Sequence, residues 1–307
     1  MRTAFIESLC ELAAEDERVW LLSGDLGYSV LERFIQKFPD RFVNVGVAEQ
    51  NMMGIAAGLA MSGNIVFTYS IANFPVMRCL EQIRNDICYH NLNVKIVAVG
   101  GGLAYGPAGY THHALEDLAV MRAMPGMIVL APGDPVEARL ATRAIAEHEG
   151  PCYLRLGKAG EPVVHYTQPQ FRIGEAISLR DGRDVTLIST GGMLKRSLDA
   201  ADALAARGFE ARVLSMHTVK PLDVKALAEA ANATRLLAVI EEHGEVGGLA
   251  DAVARCLAER AIKCAFTAFT ISAERDLVGS QSYLLERAGL STEKIAARIE
   301  EMLAKLG

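Results

Sequence analysis

The stretch Phe42-Val-Asn-Val-Gly-Val-Ala-Glu-Gln-Asn-Met-Met-Gly-Ile-Ala-Ala-Gly-Leu-Ala-Met-Ser-Gly63 passes from a short apolar strand into a helix of small residues, with Glu49 at the junction. A glutamate in the first turn of a helix is favoured by the positive end of the helix dipole, which is one sufficient reason for its presence. The helix itself carries the stronger signal. Gly54, Ala56, Ala57, Gly58 and Ala60 leave it thin, and each interior glycine costs about 0.8–1.0 kcal/mol relative to alanine. Such a composition suits close approach by another group, and a carboxylate at the start of the helix can be aimed at a ligand.

The strand-then-helix rhythm continues on both sides. Upstream lie a helical segment over 3–17, Val19-Trp-Leu-Leu-Ser23 and a helix near 30–38. Downstream follow Ile65-Val-Phe-Thr68, a helix over 73–89, Val94-Lys-Ile-Val-Ala-Val99, a helix near 114–122, Met127-Ile-Val-Leu130, a helix over 134–147 and Tyr153-Leu-Arg-Leu156. Short apolar strands separated by helices predict a mainly parallel sheet covered on both faces. Gly157-Lys-Ala-Gly-Glu-Pro162 and Gln168-Pro-Gln170 then read as a linker. Beyond it, Val185–Ser189, Ala211–Ser215, Leu236–Ile240 and Ala265–Phe269 alternate with helices near 194–207, 222–231, 246–259 and 291–305. The expectation is an α/β protein of two three-layer domains, residues 1–160 and 176–307, joined by a linker over 161–175.

Composition narrows the partners. A length of 307 residues suits two domains, and 51% hydrophobic content is ample for two cores. The six cysteines are scattered without a Cys-x-x-Cys pair, which suits reduced thiols and a cytoplasmic setting. The opening Met1-Arg-Thr-Ala-Phe-Ile-Glu-Ser-Leu-Cys-Glu11 breaks its apolar residues with charges, unlike a signal peptide. No run approaches the roughly 18 apolar residues of a membrane span. A net charge of −6 without a Lys/Arg stripe argues against nucleic acid. Small molecules or another protein remain as expected partners.

In open parallel sheets ligands gather at the carboxyl ends of strands. Four groups fall there: Gly24-Asp-Leu-Gly-Tyr-Ser29, Glu49, the loop Gly100-Gly-Gly-Leu-Ala-Tyr-Gly-Pro-Ala-Gly-Tyr-Thr-His-His113, and Arg155. Neither this loop nor Gly244-Glu-Val-Gly-Gly248 has the spacing of a dinucleotide fingerprint. The His112-His113 pair lacks a third ligand at zinc spacing, so no metal ligand is assigned to this chain.

Asp25 with Ser29, Val47-Ala-Glu-Gln-Asn51, Asn73-Phe74, Thr111-His-His-Ala-Leu-Glu-Asp117, Arg155 and Met216-His-Thr-Val-Lys-Pro-Leu-Asp223 occur in an order and spacing that resembles the second half of transketolases and 1-deoxyxylulose-5-phosphate synthases. The resemblance runs from about residue 1 to the C-terminus. It implies a mainly parallel-sheet domain that binds the pyrimidine of thiamine diphosphate, followed by a transketolase C-terminal-type domain. It gives Glu49 the task of hydrogen-bonding the aminopyrimidine ring nitrogen and driving the exocyclic amine towards its imino form. A carboxyl group suits that task because it shares a proton with a weakly basic nitrogen in a dry pocket. It also implies that Phe74 stacks on the pyrimidine, that Asp25 binds cofactor, and that Ser29 lines the substrate cleft. His112 is placed catalytically beside the reacting sugar, and Arg155 on a sugar phosphate, for which a guanidinium's planar fork is suited.

The sequence departs from the family at three places. Common transketolases have a histidine at Gly100, an aspartate at Ala108 and an aromatic at Ile71. Losing two polar contacts to sugar hydroxyls implies a smaller, deoxygenated or otherwise modified substrate. The family's Gly-Asp-Gly motif with its following Asn-Asn, which holds the diphosphate and Mg²⁺, does not occur in this sequence. The expectation is therefore a split transketolase: a separate subunit supplies the diphosphate-binding domain, two such pairs form a heterotetramer, and the enzyme moves a two-carbon ketol unit from a ketose or ketose phosphate to an aldose. The alternatives are an acyloin-forming 1-deoxyketose-phosphate synthase or 2-oxo-acid dehydrogenase β-type subunit using pyruvate, and, outside enzymes, a non-catalytic regulatory subunit.

Overall fold

The computed structural model describes residues 1–272 and 278–306. The first half runs α1 (Arg2–Glu15), β1 (Val19–Ser23), α2 (Glu32–Lys37), β2 (Phe42–Asn44), α3 (Glu49–Met61), β3 (Ile65–Ile71), α4 (Asn73–Met77), α5 (Leu80–Gln82), β4 (Val94–Val99), α6 (Asp117–Ala123), β5 (Ile128–Leu130), α7 (Pro135–Glu147) and β6 (Cys152–Leu156). The second runs β7 (Ile177–Arg180), β8 (Val185–Ser189), α8 (Leu194–Ala205), β9 (Ala211–Ser215), β10 (Thr218–Lys220), α9 (Val224–Ala233), β11 (Leu236–Gly244), α10 (Leu249–Glu259), β12 (Ala265–Ile271), α11 (Gln281–Arg287) and α12 (Thr292–Lys305).

Among the described residues the strands form a seven-stranded sheet, ordered β10-β5-β6-β4-β3-β1-β2, and a five-stranded sheet, ordered β12-β11-β8-β9-β7. Only β10 against β5 and β7 against β9 run antiparallel. The architecture is two α/β domains with mainly parallel sheets, as the alternation of strands and helices predicts.

Period-two alternation decides which face each strand residue covers. Leu22, Val66, Ile96 and Val129 join the cluster that holds Met52, Met53 and Ala56 of α3. Their neighbours Leu21, Phe67, Val97 and Leu130 join the opposite cluster, with Phe5 and Leu9 of α1 and Ala141 and Ile145 of α7. The first of these cores continues into Ile188, Leu214 and Val239 of the second sheet and into Leu227 of α9 and Val253 of α10. A third cluster, with Leu204 of α8 and Ile295 and Ile299 of α12, covers the far face of that sheet. Each sheet is thus sandwiched by helices, and the inner layers of the two domains share one apolar core.

Two of the departures from the sequence expectation bear on the first domain. The strand β10 comes from the second half of the chain yet completes the first sheet, where Lys220 Nζ donates to the Arg122 and Met124 carbonyls at 2.9 and 2.6 Å. The helix expected over 73–89 is broken at Arg78–Cys79 into α4, α5 and a π-helical turn over Ile83–Cys88. Among the described residues no helix is long and apolar enough to cross a membrane.

The register gathers the loops that matter. Ser23 pairs with Asn44 and Tyr69, Tyr69 with Val97, and Val99 with Leu156. The chain after β1, β2, β3, β4 and β6 therefore leaves the sheet along one carboxyl edge.

Candidate functional site

Glu49 is the first residue of α3, reached from β2 over three connecting residues and the N-cap Ala48. Its side chain is 2% exposed and lies against Gly24, where an added Cβ would stand 3.6 Å from Glu49 Cγ. Glu49 Oε2 accepts a 2.9 Å hydrogen bond from Arg78 Nη1. Glu49 Oε1 is buried with no partner. An unsatisfied buried acceptor costs about 1–3 kcal/mol, and more when charged, so the bare oxygen marks a place where a donor belongs. Cys79 is buried nearby, and burial together with the Glu49 charge pushes its thiol up to about 12.

Phe74 lies in the first turn of α4, and Arg78 follows it by four residues, a spacing that puts both side chains on one helix face. The Arg78 guanidinium carbon sits 4.3 Å from the Phe74 ring centroid. The His112 ring meets the Phe74 ring edge-on, with centroids 5.2 Å apart. Two bonds fix that loop: Asn73 Nδ2 donates to the Thr111 carbonyl at 2.8 Å, and Thr111 Oγ1 lies 3.0 Å from His112 Nδ1. Nε2 is thereby left as the ring nitrogen available to a ligand. His113 turns the other way and is buried, with Nε2 3.2 Å from the Gly106 carbonyl. Among the described residues no group of three or more His, Cys, Asp or Glu side chains is placed to hold a metal.

Asp25 and Ser29 occupy the loop after β1 with φ of +58° and +62°. Non-glycine residues rarely adopt this left-handed region, and such strain concentrates at ligand sites. The Asn44 side chain holds Asp25 in place: Nδ2 donates to Asp25 Oδ1 at 2.9 Å, and Oδ1 accepts from the Asp25 and Gly46 amides at 3.1 and 3.0 Å. The Ser29 amide donates to Glu32 Oε1 at 2.7 Å.

Arg155, near the end of β6, is held at the seam with the second domain. It is 5% exposed, its Nη2 donates to the Ala114 and Glu242 carbonyls at 2.8 and 2.9 Å, and its Nε lies 3.0 Å from Asp117 Oδ2. Tyr153 completes the node, donating to Asp117 Oδ2 at 2.6 Å. Gly101 has to be glycine, because a Cβ there would stand 2.1 Å from Arg155 Nε. The guanidinium thus braces the Gly100 loop and the second domain. Its edge also borders a cleft of about 470 Å³ lined by Lys158, Lys195 and Arg196. Burial raises the carboxyl of Glu242, which accepts from the Leu103 amide and from Gln281 at the same seam.

At Gly100, φ is +77° and a Cβ would fall 2.1 Å from the Tyr105 ring. The space a side chain would need is filled by that ring, over which Lys158 Nζ stands at 4.4 Å. The structure therefore brings Glu49, Phe74 and His112 together, with Asp25 on the adjoining loop, and sets Arg155 into the seam beneath. The sequence reading missed Arg78, although its position one turn after Phe74 was a usable signal.

Residues 1–160 match the family model described as transketolase, pyrimidine binding domain, and residues 174–295 the one described as transketolase, C-terminal domain. A 6-deoxy-6-sulfo-D-fructose transketolase subunit of a Clostridium species is 38% identical over 98% of this chain and 94% of its own length. An apulose-4-phosphate transketolase subunit of Phocaeicola vulgatus is 37% identical over 99% of this chain and 97% of its own. A solved structure described as a split gene transketolase, inactive beta4 tetramer, superposes with a TM-score of 0.89 at 39% identity, covering 99% of this chain and 97% of that one.

Proposed function

The chain belongs to the transketolase family, and from that premise we propose that it is the cofactor-activating subunit of a split transketolase, transferring a two-carbon ketol unit from a ketose phosphate to an aldose. One observation carries the reading: a buried carboxylate with a bare oxygen is linked through Arg78 to an aromatic ring on the edge where five loops converge. The aminopyrimidine of thiamine diphosphate fits these groups, because its flat ring matches Phe74 and its weakly basic nitrogen can share one proton with Glu49 Oε1. The cofactor supplies the carbon nucleophile and the electron sink.

The protein's own residues set proton and substrate positions. Glu49 Oε1 holds a proton against the ring nitrogen, in a pocket dry enough to strengthen that hydrogen bond. Phe74 fixes the plane of the ring. His112, oriented through Nδ1 by Thr111, presents Nε2 towards the sugar and shuttles a proton to its hydroxyl. Asp25 and Ser29 line the mouth. Arg155 acts indirectly, by holding the Gly100 loop and its Lys158–Tyr105 pair in place. Residues 1–160 supply these groups and residues 176–307 brace them.

A second subunit is proposed to hold the diphosphate and its Mg²⁺. The similar structure described as an inactive beta4 tetramer supports this, as does the outer face of α3, where a Cβ on Gly54 or Gly58 would meet no atom within 4 Å. These glycines leave room for a neighbouring chain rather than for this one. The two named relatives act on modified sugars, and the closed position at Gly100 supports a substrate whose hydroxyl pattern likewise differs from the common pentose phosphates.

The test is reconstitution with a subunit carrying the diphosphate-binding domain. The expected result is thiamine diphosphate binding seen by near-ultraviolet circular dichroism and ketol transfer in a coupled assay, with Glu49→Gln lowering turnover by about 10²–10⁴-fold while the complex stays folded. Turnover of Glu49→Gln within tenfold of the parent would sink the proposal, as would carbon dioxide release from pyruvate as the main reaction.

A further inference from the structure

Arg78 is a residue that the sequence motifs do not single out. Its Nη1 donates to Glu49 Oε2 at 2.9 Å while its guanidinium carbon lies 4.3 Å over the Phe74 ring. One planar cation therefore bonds the carboxylate and stacks on the aromatic, and these are the two surfaces that the proposed function gives to the cofactor ring. The chemistry of the two groups is parallel. A guanidinium and an aminopyrimidine protonated on its ring nitrogen are both flat, both donate an N–H to a carboxylate, and both stack on an aromatic face. Arg78 enters from the open side, for its side chain is 48% exposed while that of Glu49 is 2% exposed.

We infer that Arg78 is a built-in stand-in for the aminopyrimidine: it occupies the cofactor-ring seat between Glu49 and Phe74 in the free subunit and must swing out when the cofactor docks. This inference rests on the reading of Glu49 and Phe74 given above. The arrangement has a physical purpose. A buried carboxylate without a counter-charge is costly, so the free chain needs a cation at Glu49 until the cofactor arrives. A half-exposed arginine is a suitable occupant, because its head can move into solvent once the cofactor ring takes over the carboxylate. The geometry leaves Glu49 Oε1 bare, so the stand-in satisfies only half of the carboxylate.

The experiment measures cofactor affinity in the reconstituted two-subunit complex by titrating thiamine diphosphate in the presence of Mg²⁺, with near-ultraviolet circular dichroism as readout. Arg78→Ala removes the competitor, and the expected result is about tenfold tighter binding, from one cation–π contact and one partly exposed ion pair. The same variant should lower the melting temperature of the subunit alone, since Glu49 loses its counter-charge. Arg78→Lys, which keeps the charge but not the planar fork, should fall between the two in affinity and restore the melting temperature. Unchanged or weaker binding by the Arg78→Ala complex overturns the inference, since Arg78 would then be a neighbour of the bound ring and not its stand-in. If the parent complex itself binds no thiamine diphosphate, the functional reading fails first and the inference falls with it.

Discussion

Filling the outer face of α3 should strengthen the subunit and weaken the assembly at once. Gly54 and Gly58 have ordinary negative backbone angles, and a Cβ on either meets nothing within 4 Å, so alanine fits both without strain. Each replacement recovers about 0.8–1.0 kcal/mol of helix propensity, so Gly54→Ala with Gly58→Ala should stabilise the isolated chain by about 2 kcal/mol. Thermal unfolding followed by circular dichroism should rise by a few degrees. Leucine at the same positions leaves the chain's own packing untouched but projects into the partner proposed to cover this face. Overpacking an interface in this way costs about 1–3 kcal/mol per site, or roughly tenfold or more in association constant. Titration calorimetry with the diphosphate-binding subunit measures that loss, and the affinity for thiamine diphosphate should fall in parallel. If Gly54→Leu with Gly58→Leu assembles and loads cofactor as well as the parent, the face is plain solvent surface and the reasoning is wrong.

Two further outcomes follow from the buried charges. Asp117→Asn leaves Arg155 buried without its carboxylate, a change that typically costs about 3–5 kcal/mol, so the melting temperature should drop well beyond that of an exposed Asp→Asn control such as Asp181→Asn. In the linker, burial works to lower the pKa of His165, but its 2.8 Å bond to buried Glu137 outweighs this and raises it. A raised histidine gives stability that is full below its unfolded pKa of about 6.5 and is lost as pH climbs through the folded value. His165→Gln should therefore lose stability at pH 6 and show a flatter melting-temperature profile between pH 6 and 9 than the parent. An unchanged slope would show that the pair is not titrating.

Much of the fold was legible because apolar strands such as Val94–Val99 and Val185–Ser189 are buried on both faces and stand out as unbroken runs. The two strands that escaped notice, β7 and β10, are four and three residues long, and each is defined by an antiparallel neighbour supplied by the tertiary structure. Glu49 was visible because a strand-to-helix junction announces itself locally. The interruption at Arg78–Cys79 was not, since the sequence there contains no breaker after Pro75, which a first helical turn tolerates. The burial of Arg155 was not legible because its partners, Asp117 and the carbonyls of Ala114 and Glu242, are remote in sequence. Burial of a charge depends on such partners, which no local pattern encodes. Arg78 was missed because its importance lies in touching two residues whose joint position only the folded edge reveals.

The strand β10 has a consequence for the order in which the molecule is made. A ribosome delivers residues 1–160 long before Thr218–Lys220, so the cofactor-binding domain emerges with β5 as an open border, its amide and carbonyl row exposed. The nascent domain must wait for nearly sixty further residues before that border is sealed by an antiparallel strand and by Lys220 gripping the end of α6. Closure of the first domain is thus a late event in synthesis, and a gene fragment ending at the linker yields a domain with an adhesive side.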